Sequence, residues 1–169
     1  MMLETGRLLL DKPDLKYIDE LYLLHTNKEA TQYTPKGIHE SKEVTKRFIE
    51  GWIRHWEENN FGYFILITED SKEVAGITEF EYRTINYQRF LNLYYRFFSE
   101  FTKQGLATER IDKISYSLKH YDSITPKIIH TNQPSIKLAE RLGYIDDLSW
   151  NNIINKGNPL LFYSTTQYT

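Results

Sequence analysis

Cysteine is absent from this chain of 169 residues, and its absence excludes several kinds of chemistry. Without a thiol the chain cannot form a disulfide, hold a metal through thiolates or attack a substrate with a cysteine. Long apolar runs are also missing, so no segment is suited to span a bilayer as a helix. The N-terminus lacks the basic and apolar regions of a secretory signal. These absences favour a cytoplasmic protein.

An excess of charge of either sign is missing as well, because 21 Lys and Arg residues stand against 23 Asp and Glu residues. A chain that binds nucleic acid through its phosphates needs a basic surface, so we expect neither a nucleic acid nor a membrane as partner. Proline and glycine are scarce, and no linker or repeat divides the sequence. The length predicts one domain over residues 1–169. The oligomeric state stays open between a monomer and a homodimer.

Motifs for metal or nucleophilic chemistry are also lacking. The histidines are His25, His39, His55, His120 and His130. Their spacing matches no metal site, and His-Glu-x-x-His, Gly-x-Ser-x-Gly and P-loop patterns are absent. We therefore expect no metal, and we interpret each histidine as solvent-facing or hydrogen-bonded.

The pattern of apolar and polar residues predicts alternating strands and helices. Strands are predicted over residues 5–11, 61–68, 73–82, 90–98, 127–130, 148–154 and 160–166. Helices are predicted from Pro13, from the N-cap Ser41 to Asn60, around Ile111 to Leu118, and from Pro134 to Gly143. Turns at residues 69–72 and 84–89 make early hairpins. An α/β fold with a mixed, mostly antiparallel sheet follows from this order.

The second predicted helix carries large apolar residues at intervals of four. They are Val44, Phe48, Trp52 and Trp56. We interpret them as a buried stripe, in preference to a platform on which bases would stack.

The loop from Thr102 to Glu109 follows the apolar strand at Phe90 to Phe98 and precedes a predicted helix. Free N–H groups and the helix dipole at such a junction attract an anion such as phosphate. Gly105 lets the backbone approach the anion, and Ala107 keeps the following position narrow. Taken alone, the loop fits an ordinary strand-to-helix turn about equally well.

A second segment, Asn132 to Tyr144, follows another predicted strand and has Pro134 and Gly143 where a helix begins and ends. Together with Leu3 to Leu10 and the loop Gln104 to Glu109, it resembles the GNAT N-acetyltransferases. The resemblance is greatest to the branch that includes the ribosomal-protein N-terminal acetyltransferases. It covers nearly the whole chain, and it implies a GNAT-like sheet with two splayed parallel strands flanked by helices.

The resemblance also implies acetyl-CoA as co-substrate, bound between the strands that end at Phe98 and His130. The pantetheine arm would contact the backbone of Phe97 and Phe98, while Asn132 would lie near the acetyl arm. Ser135 would contact either the thiol end or the nucleotide end. The pyrophosphate would bind to the backbone amides of Lys103, Gln104, Gly105, Leu106, Ala107 and Thr108.

The chain departs from the family pattern at several positions. Thr102 stands where Arg or Gln usually opens the loop, and Ala139 where many relatives have a tyrosine acid. Asn92 occupies a position at which this branch often has Glu, and an amide cannot act as a base near neutral pH. Glu79 is therefore the candidate general base, acting through water, although an exposed pair with Glu81 is the alternative.

These observations predict an N-acetyltransferase that moves the acetyl group of acetyl-CoA to a primary amine by direct attack in a ternary complex. The acceptor stays open between a protein N-terminus and a small-molecule amine such as a polyamine, an amino acid derivative or an aminoglycoside-like drug. A non-catalytic acyl-CoA-binding or regulatory protein on the same fold is the alternative, because Thr102, Asn92 and Ala139 replace expected residues. An unrelated α/β protein is the third possibility.

Overall fold

The helices and strands of this chain come from a computed structural model. It describes residues 3–4, 6–33, 37–85, 87–102, 104–106, 127–129, 132–141, 143–146 and 160–164. The strands are β1 (Leu3–Glu4), β2 (Leu8–Asp11), β3 (Tyr63–Thr68), β4 (Val74–Ile85), β5 (Gln88–Phe97), β6 (Lys127–Ile129), β7 (Ile145–Asp146) and β8 (Leu160–Ser164). The α-helices are α1 (Ile18–Thr26), α2 (Lys42–Asn59) and α3 (Gln133–Arg141).

Five strands form one sheet in the order β1-β2-β3-β4-β5, and β1 to β4 pair antiparallel. Leu8 and Leu10 of β2 and Ile65 and Leu66 of β3 are fully buried. Consecutive buried residues show that both faces of the sheet are covered there. The prediction of an α/β fold with a mostly antiparallel sheet and flanking helices is confirmed.

Contacts within the chain divide it into two compact units. The first unit comprises Met1–Phe80 and Tyr95–Leu106, and the second comprises Glu81–Tyr94 and Ala107–Thr169. In the second unit β6, β8 and β7 form an antiparallel sheet in that order. The prediction that residues 1–169 make a single domain stays a prediction.

Helix α2 begins and ends where the sequence predicts. The hydroxyl of Ser41 accepts a hydrogen bond from the N–H of Val44, and Asn60 ends the helix in the left-handed conformation at φ 60°. The predicted buried stripe is partly wrong, because Phe48 is 49% exposed. Residues four apart rotate by about 40° around a helix, so a run of such steps leaves the buried face. The residues of α2 that are buried are Thr45, Ile49 and Trp52.

Three predicted boundaries differ from the structure. The strand expected over residues 5–11 is interrupted at Gly6, whose φ of 77° bends the chain between β1 and β2. The helix expected from Pro13 starts as a 3-10 turn over Leu15–Tyr17, and the side chain of its N-cap Asp14 accepts a hydrogen bond from the N–H of Lys16. The turn expected over residues 84–89 is shorter, since β4 continues to Ile85 and β5 starts at Gln88.

Strand β7 was not predicted, and several predictions lie outside the described residues. These are the helix around Ile111 to Leu118, the strand over residues 148–154 and the strand end at His130. Among the described residues, no helix is both long and apolar enough to cross a membrane.

Candidate active site

The carboxyl end of β5 is shaped by a bulge in the neighbouring strand β4. Leu66 of β3 pairs with Gly76 and the next residue, Ile67, pairs with Val74, so Ala75 is an extra residue in β4. Bulges are frequent beside active sites because they redirect a strand locally. Here the carbonyl of Ala75 accepts a hydrogen bond of 3.0 Å from the N–H of Phe98.

Gly76 allows the two backbones to come very close at this point. A Cβ at Gly76 would lie 2.9 Å from the Cα of Phe97 and would collide with the carbonyl oxygen of Arg96. Only glycine fits this position without moving β5. The bulge and Gly76 therefore fix Phe97, which is 8% exposed, and Phe98, which is half-buried.

The two backbone N–H groups predicted to serve the cofactor point to opposite edges of β5. Phe98 donates its N–H to Ala75 of β4, so that group is already used. Successive N–H groups of a strand point to opposite sides, which directs the N–H of Phe97 away from β4. Of these two N–H groups, the one of Phe98 is therefore bound within the sheet, and the one of Phe97 points to the other edge of β5.

The loop after β5 consists of a short 3-10 turn followed by a glycine in the left-handed conformation. Phe98 leads into a 3-10 turn over Ser99–Phe101, and Gly105 has a φ of 72°, a left-handed conformation that glycine adopts without strain. Gln104 and Gly105 are exposed, whereas Leu106 is buried and helical. The loop is tied down by hydrogen bonds of Thr102 to Ser99 and of Gln104 to Glu100.

The remaining predicted loop residues, Lys103, Ala107 and Thr108, lie outside the described residues. The described part shows that Phe97, Phe98, Gln104, Gly105 and Leu106 all belong to the first unit. Their assignment to acetyl-CoA stays a prediction.

In the second unit, Asn132 caps helix α3. Its side-chain oxygen accepts a hydrogen bond of 3.2 Å from the N–H of Ser135, and its carbonyl accepts one of 3.1 Å from Ile136. Both Asn132 and Ser135 are half-buried. Asn132 thus acts as an N-cap, while contact of Asn132 and Ser135 with the cofactor stays a prediction.

Ala139, which stands where many members of the resembled family have a tyrosine, lies near the C-terminal end of α3. Gly143 has a φ of 83°, and the N–H of Tyr144 donates to the carbonyl of Ala139, as in a glycine-terminated helix. The predicted glycine cap is therefore present. Ala139 is 4% exposed, so its small side chain packs in the interior of the second unit.

Glu79, the candidate base, is 2% exposed, so the alternative of an exposed surface charge is wrong. It pairs with Tyr63 of β3, and Arg96 of β5 is also buried at 5% exposure. Extending the ladder from Ala75 and Phe98 places Arg96 opposite Ile77. Glu79 lies two residues after Ile77 in β4, so its side chain is on the same face of the sheet as Ile77 and Arg96. Glu79 and Arg96 are therefore diagonal neighbours across the two strands.

Two histidines from the α1–α2 region form a stacked pair that the sequence did not reveal. The rings of His25 and His39 lie 4.0 Å apart at an interplanar angle of 8°. The Nδ1 of His25 donates to the carbonyl of Leu21 at 2.7 Å, and the Nδ1 of His39 lies 2.9 Å from the hydroxyl of Thr45. Both histidines are hydrogen-bonded as expected, and both are buried.

Burial keeps both histidines neutral at pH 7. Burial, together with smaller effects of His39 and Arg96, lowers the pKa of His25 to about 3, although the hydrogen bond to Leu21 acts in the opposite direction. Burial, followed by the charge of Arg96, lowers the pKa of His39 to about 4. The sequence signal was available for His25, since it follows Leu21 and Leu24 on the buried side of α1.

Aromatic rings join this histidine pair to the sheet. Trp52 of α2 stacks on Tyr63 of β3 at 4.0 Å, and its ring lies 6.0 Å from that of His25. Phe48 stacks on His39 at 4.6 Å. The face of the sheet that carries Tyr63 is thus covered by α2, and Trp52 belongs to the core as expected.

No group of three or more potential metal ligands occurs among the described residues.

Comparisons with known proteins agree with this geometry. Three similar solved structures share the fold. A GnaT-family acetyltransferase from Bordetella pertussis is 19% identical at a TM-score of 0.77, over 98% of this chain and 99% of that one. An acetyltransferase from Salmonella typhimurium that modifies the N-terminal serine of ribosomal protein L7/L12 is 16% identical at 0.74, over 97% and 98%. The microcin C7 self-immunity acetyltransferase MccE, in complex with acetyl-CoA and AMP, is 20% identical at 0.72, over 94% and 92%.

A search of the curated proteins found no match. The family described as "Acetyltransferase (GNAT) domain" matches residues 7–145, which is most of the sequence and includes β2 to β5, the loop after β5 and α3. The resemblance predicted from sequence is confirmed: the chain belongs to the GNAT acetyltransferase family.

Proposed function

We propose that this protein is an N-acetyltransferase that transfers the acetyl group of acetyl-CoA to a primary amine by direct attack in a ternary complex. The observation that carries the proposal is the loop after β5, where Gly105 at φ 72° follows a strand end fixed by the β4 bulge. Exposed backbone beside a helix start suits a pyrophosphate. Membership of the GNAT family supports the same cofactor.

The reaction joins the amine nitrogen to the acetyl carbonyl carbon and breaks the bond from that carbon to the CoA sulfur. The amine must be neutral to attack, so its proton passes to a base or to water. The N–H of Phe97 is the proposed donor to the oxyanion that develops in between. Positioning of the two substrates supplies much of the rate, and the thiolate leaves with little help.

The other site residues are assigned on the family resemblance. Lys103, Gln104, Gly105, Leu106, Ala107 and Thr108 hold the pyrophosphate, and Phe97 and Phe98 hold the pantetheine arm. Asn132 and Ser135 contact the cofactor from the start of α3, in addition to the capping bond between them. Glu79 is the base, and its burial requires a water to carry the proton to it.

The acceptor is proposed as a class. The relative from Salmonella typhimurium acts on a protein N-terminus, whereas MccE is a self-immunity enzyme against microcin C7. A protein N-terminus and a small-molecule amine therefore both remain candidates for this chain. We propose a cytoplasmic, single-domain protein that acts as a monomer or homodimer without nucleic acid, membrane or metal.

A non-catalytic acyl-CoA-binding protein is the second candidate, and two observations favour it. Asn92 is 4% exposed, and its side-chain oxygen has no hydrogen-bond partner among the described residues. Ala139, which replaces the family's tyrosine, is buried and offers no acid. Neither residue can move a proton near neutral pH.

Release of free CoA separates these candidates. Because the chain has no cysteine, a thiol-reactive dye added to the reaction reports only the CoA thiol. We expect dye colour to rise when acetyl-CoA is supplied together with one of a peptide N-terminus, a polyamine, an amino acid derivative or an aminoglycoside. Mass spectrometry of that amine should show one added acetyl group.

Calorimetry with CoA completes the test. Binding of CoA without release by any amine would favour the non-catalytic protein. Absence of both binding and release would contradict the proposed function.

A further inference from the structure

Arg7 connects the first edge of the sheet to the loop after β5. It lies between β1 and β2, and its carbonyl accepts a hydrogen bond of 2.9 Å from the N–H of Glu69. Its side chain then reaches a residue 97 positions away, because Nη1 donates to the carbonyl of Gln104 at 3.1 Å. A Cβ at Gly105 would lie 3.8 Å from Nη2. Both contacts are within the first unit.

This hydrogen bond orients the peptide between Gln104 and Gly105. The chain has no cis peptide bond among the described residues, and in a trans peptide the C=O and N–H point in opposite directions. Because the carbonyl of Gln104 is turned toward Arg7, the N–H of Gly105 is turned away from it, toward the other side of the loop. The φ of 72° at Gly105 makes that orientation accessible.

Arg7 is also the source of a positive charge at this turn. The described loop residues Thr102, Gln104, Gly105 and Leu106 carry none, and the hydroxyl of Thr102 is donated to Ser99 at 2.6 Å. A guanidinium that donates to a carbonyl makes a stronger hydrogen bond than a neutral donor. It also lies one peptide away from the N–H that faces the proposed anion.

We propose that Arg7 is a positioning residue for the cofactor: it holds the peptide between Gln104 and Gly105 so that the N–H of Gly105 donates to the pyrophosphate of CoA. This inference rests on the proposed binding of CoA at the loop. The inference adds Arg7, which is 97 residues away from Gln104 in the sequence, to the residues that serve the cofactor. Arg7 would act through the loop backbone and would not touch the reacting atoms. The effect should therefore appear in cofactor binding and not in the chemical step.

The test compares the parent protein with Arg7→Met, Arg7→Gln and Arg7→Lys. Arg7→Met removes every donor at similar length, Arg7→Gln keeps a neutral donor, and Arg7→Lys keeps charge and a donor without the planar fork. We expect Arg7→Met to weaken CoA binding by calorimetry, and to raise the KM for acetyl-CoA, by about tenfold, which corresponds to the loss of one charge-assisted hydrogen bond. Arg7→Lys and Arg7→Gln should recover part of the loss.

The amine KM and kcat should stay within about twofold of the parent, since a general loss of structure would change them as well. Arg47→Met, on the exposed side of α2, is the matched control and should leave CoA affinity unchanged. Urea unfolding checks each variant. If Arg7→Met does not fold, Arg7→Gln takes its place in the comparison with the parent.

The outcomes separate this inference from the proposed function. A parent protein that does not bind CoA overturns both. A parent that binds CoA, with folded Arg7→Met within twofold of it, overturns only the role of Arg7; if Arg7→Met does not fold, Arg7→Gln within twofold has the same meaning. Equal losses in kcat, amine KM and acetyl-CoA KM would also overturn it, because they would indicate a structural role.

Discussion

At the scale of single residues, the burial of Glu79 limits how this candidate base can exchange protons. Glu79 is 2% exposed and lies beside Tyr63, which is itself covered by Trp52. A carboxylate in that position cannot exchange protons with bulk water directly. It shares a face with the buried Arg96, and a carboxylate buried beside a positive charge can have a purely structural role. The two roles differ in how they respond to pH.

Glu79→Gln tests the role of this carboxylate as a base. If Glu79 accepts the proton of the amine, the variant should lose turnover by tenfold or more at pH 7 and by less at high pH, where the free amine is abundant. Its affinity for CoA should barely change. Glu69→Gln, in the exposed turn between β3 and β4, is the control. A constant ratio of variant to parent turnover across the pH range would show that Glu79 is structural.

At the scale of elements, local sequence signals predicted three of the helix caps well. Ser41, Asn60 and Gly143 each have the predicted capping role, because a cap depends on residues only a few positions away. The buried face of α2 was predicted less well. Phe48 is exposed on one side yet stacks on His39, a contact set by the path of the preceding loop and not by helical periodicity.

Ser41→Ala measures what the cap contributes. The variant loses the hydrogen bond from Val44, and we expect the free energy of unfolding to fall by about 1 kcal/mol in urea titrations. Ser41→Asp, which can accept the same bond and suits the positive end of the helix, should stay near the parent. CoA affinity should be unchanged in both. Equal stability of the alanine and aspartate variants would mean that the cap contributes nothing measurable.

At the scale of the molecule, features formed by neighbouring residues could be predicted from the sequence, whereas contacts between distant residues could not. The loop at Gly105 could be found because strand end, glycine and helix start are contiguous. The stacked pair of His25 and His39 could not, because His39 precedes α2 and meets the end of α1 only in the folded chain. The bond from Arg7 to the loop was hidden for the same reason. Tertiary contacts of this kind carry no local signature, since they depend on the pairing order of the sheet.

The buried histidine pair predicts how the stability of the whole protein depends on pH. In the unfolded chain both histidines titrate near 6.5, whereas in the folded protein their pKa values are about 3 for His25 and about 4 for His39. Between the folded and unfolded pKa values, the unfolded state binds more protons than the folded state. The free energy of unfolding therefore rises with pH up to 6.5 and falls as the pH drops toward 4. Each pKa unit corresponds to about 1.4 kcal/mol, so acidification by about two units below 6.5 should cost roughly 3 kcal/mol of stability for each histidine.

Urea unfolding of the parent and of His25→Gln between pH 4.5 and pH 7.5 tests this dependence. The variant lacks one of the two histidines that bind a proton in the unfolded chain but not in the folded protein, so its stability should decline less steeply on acidification. Its stability at pH 7.5 can be lower than that of the parent, because the packing against His39 has changed. Burial would raise the pKa of Asp11, but hydrogen bonds from Tyr17 and Lys16 lower it below 3.8, so its contribution is lost only at more acidic pH. Parallel curves for parent and variant would contradict the prediction, because His25 would then titrate alike in the folded and unfolded states.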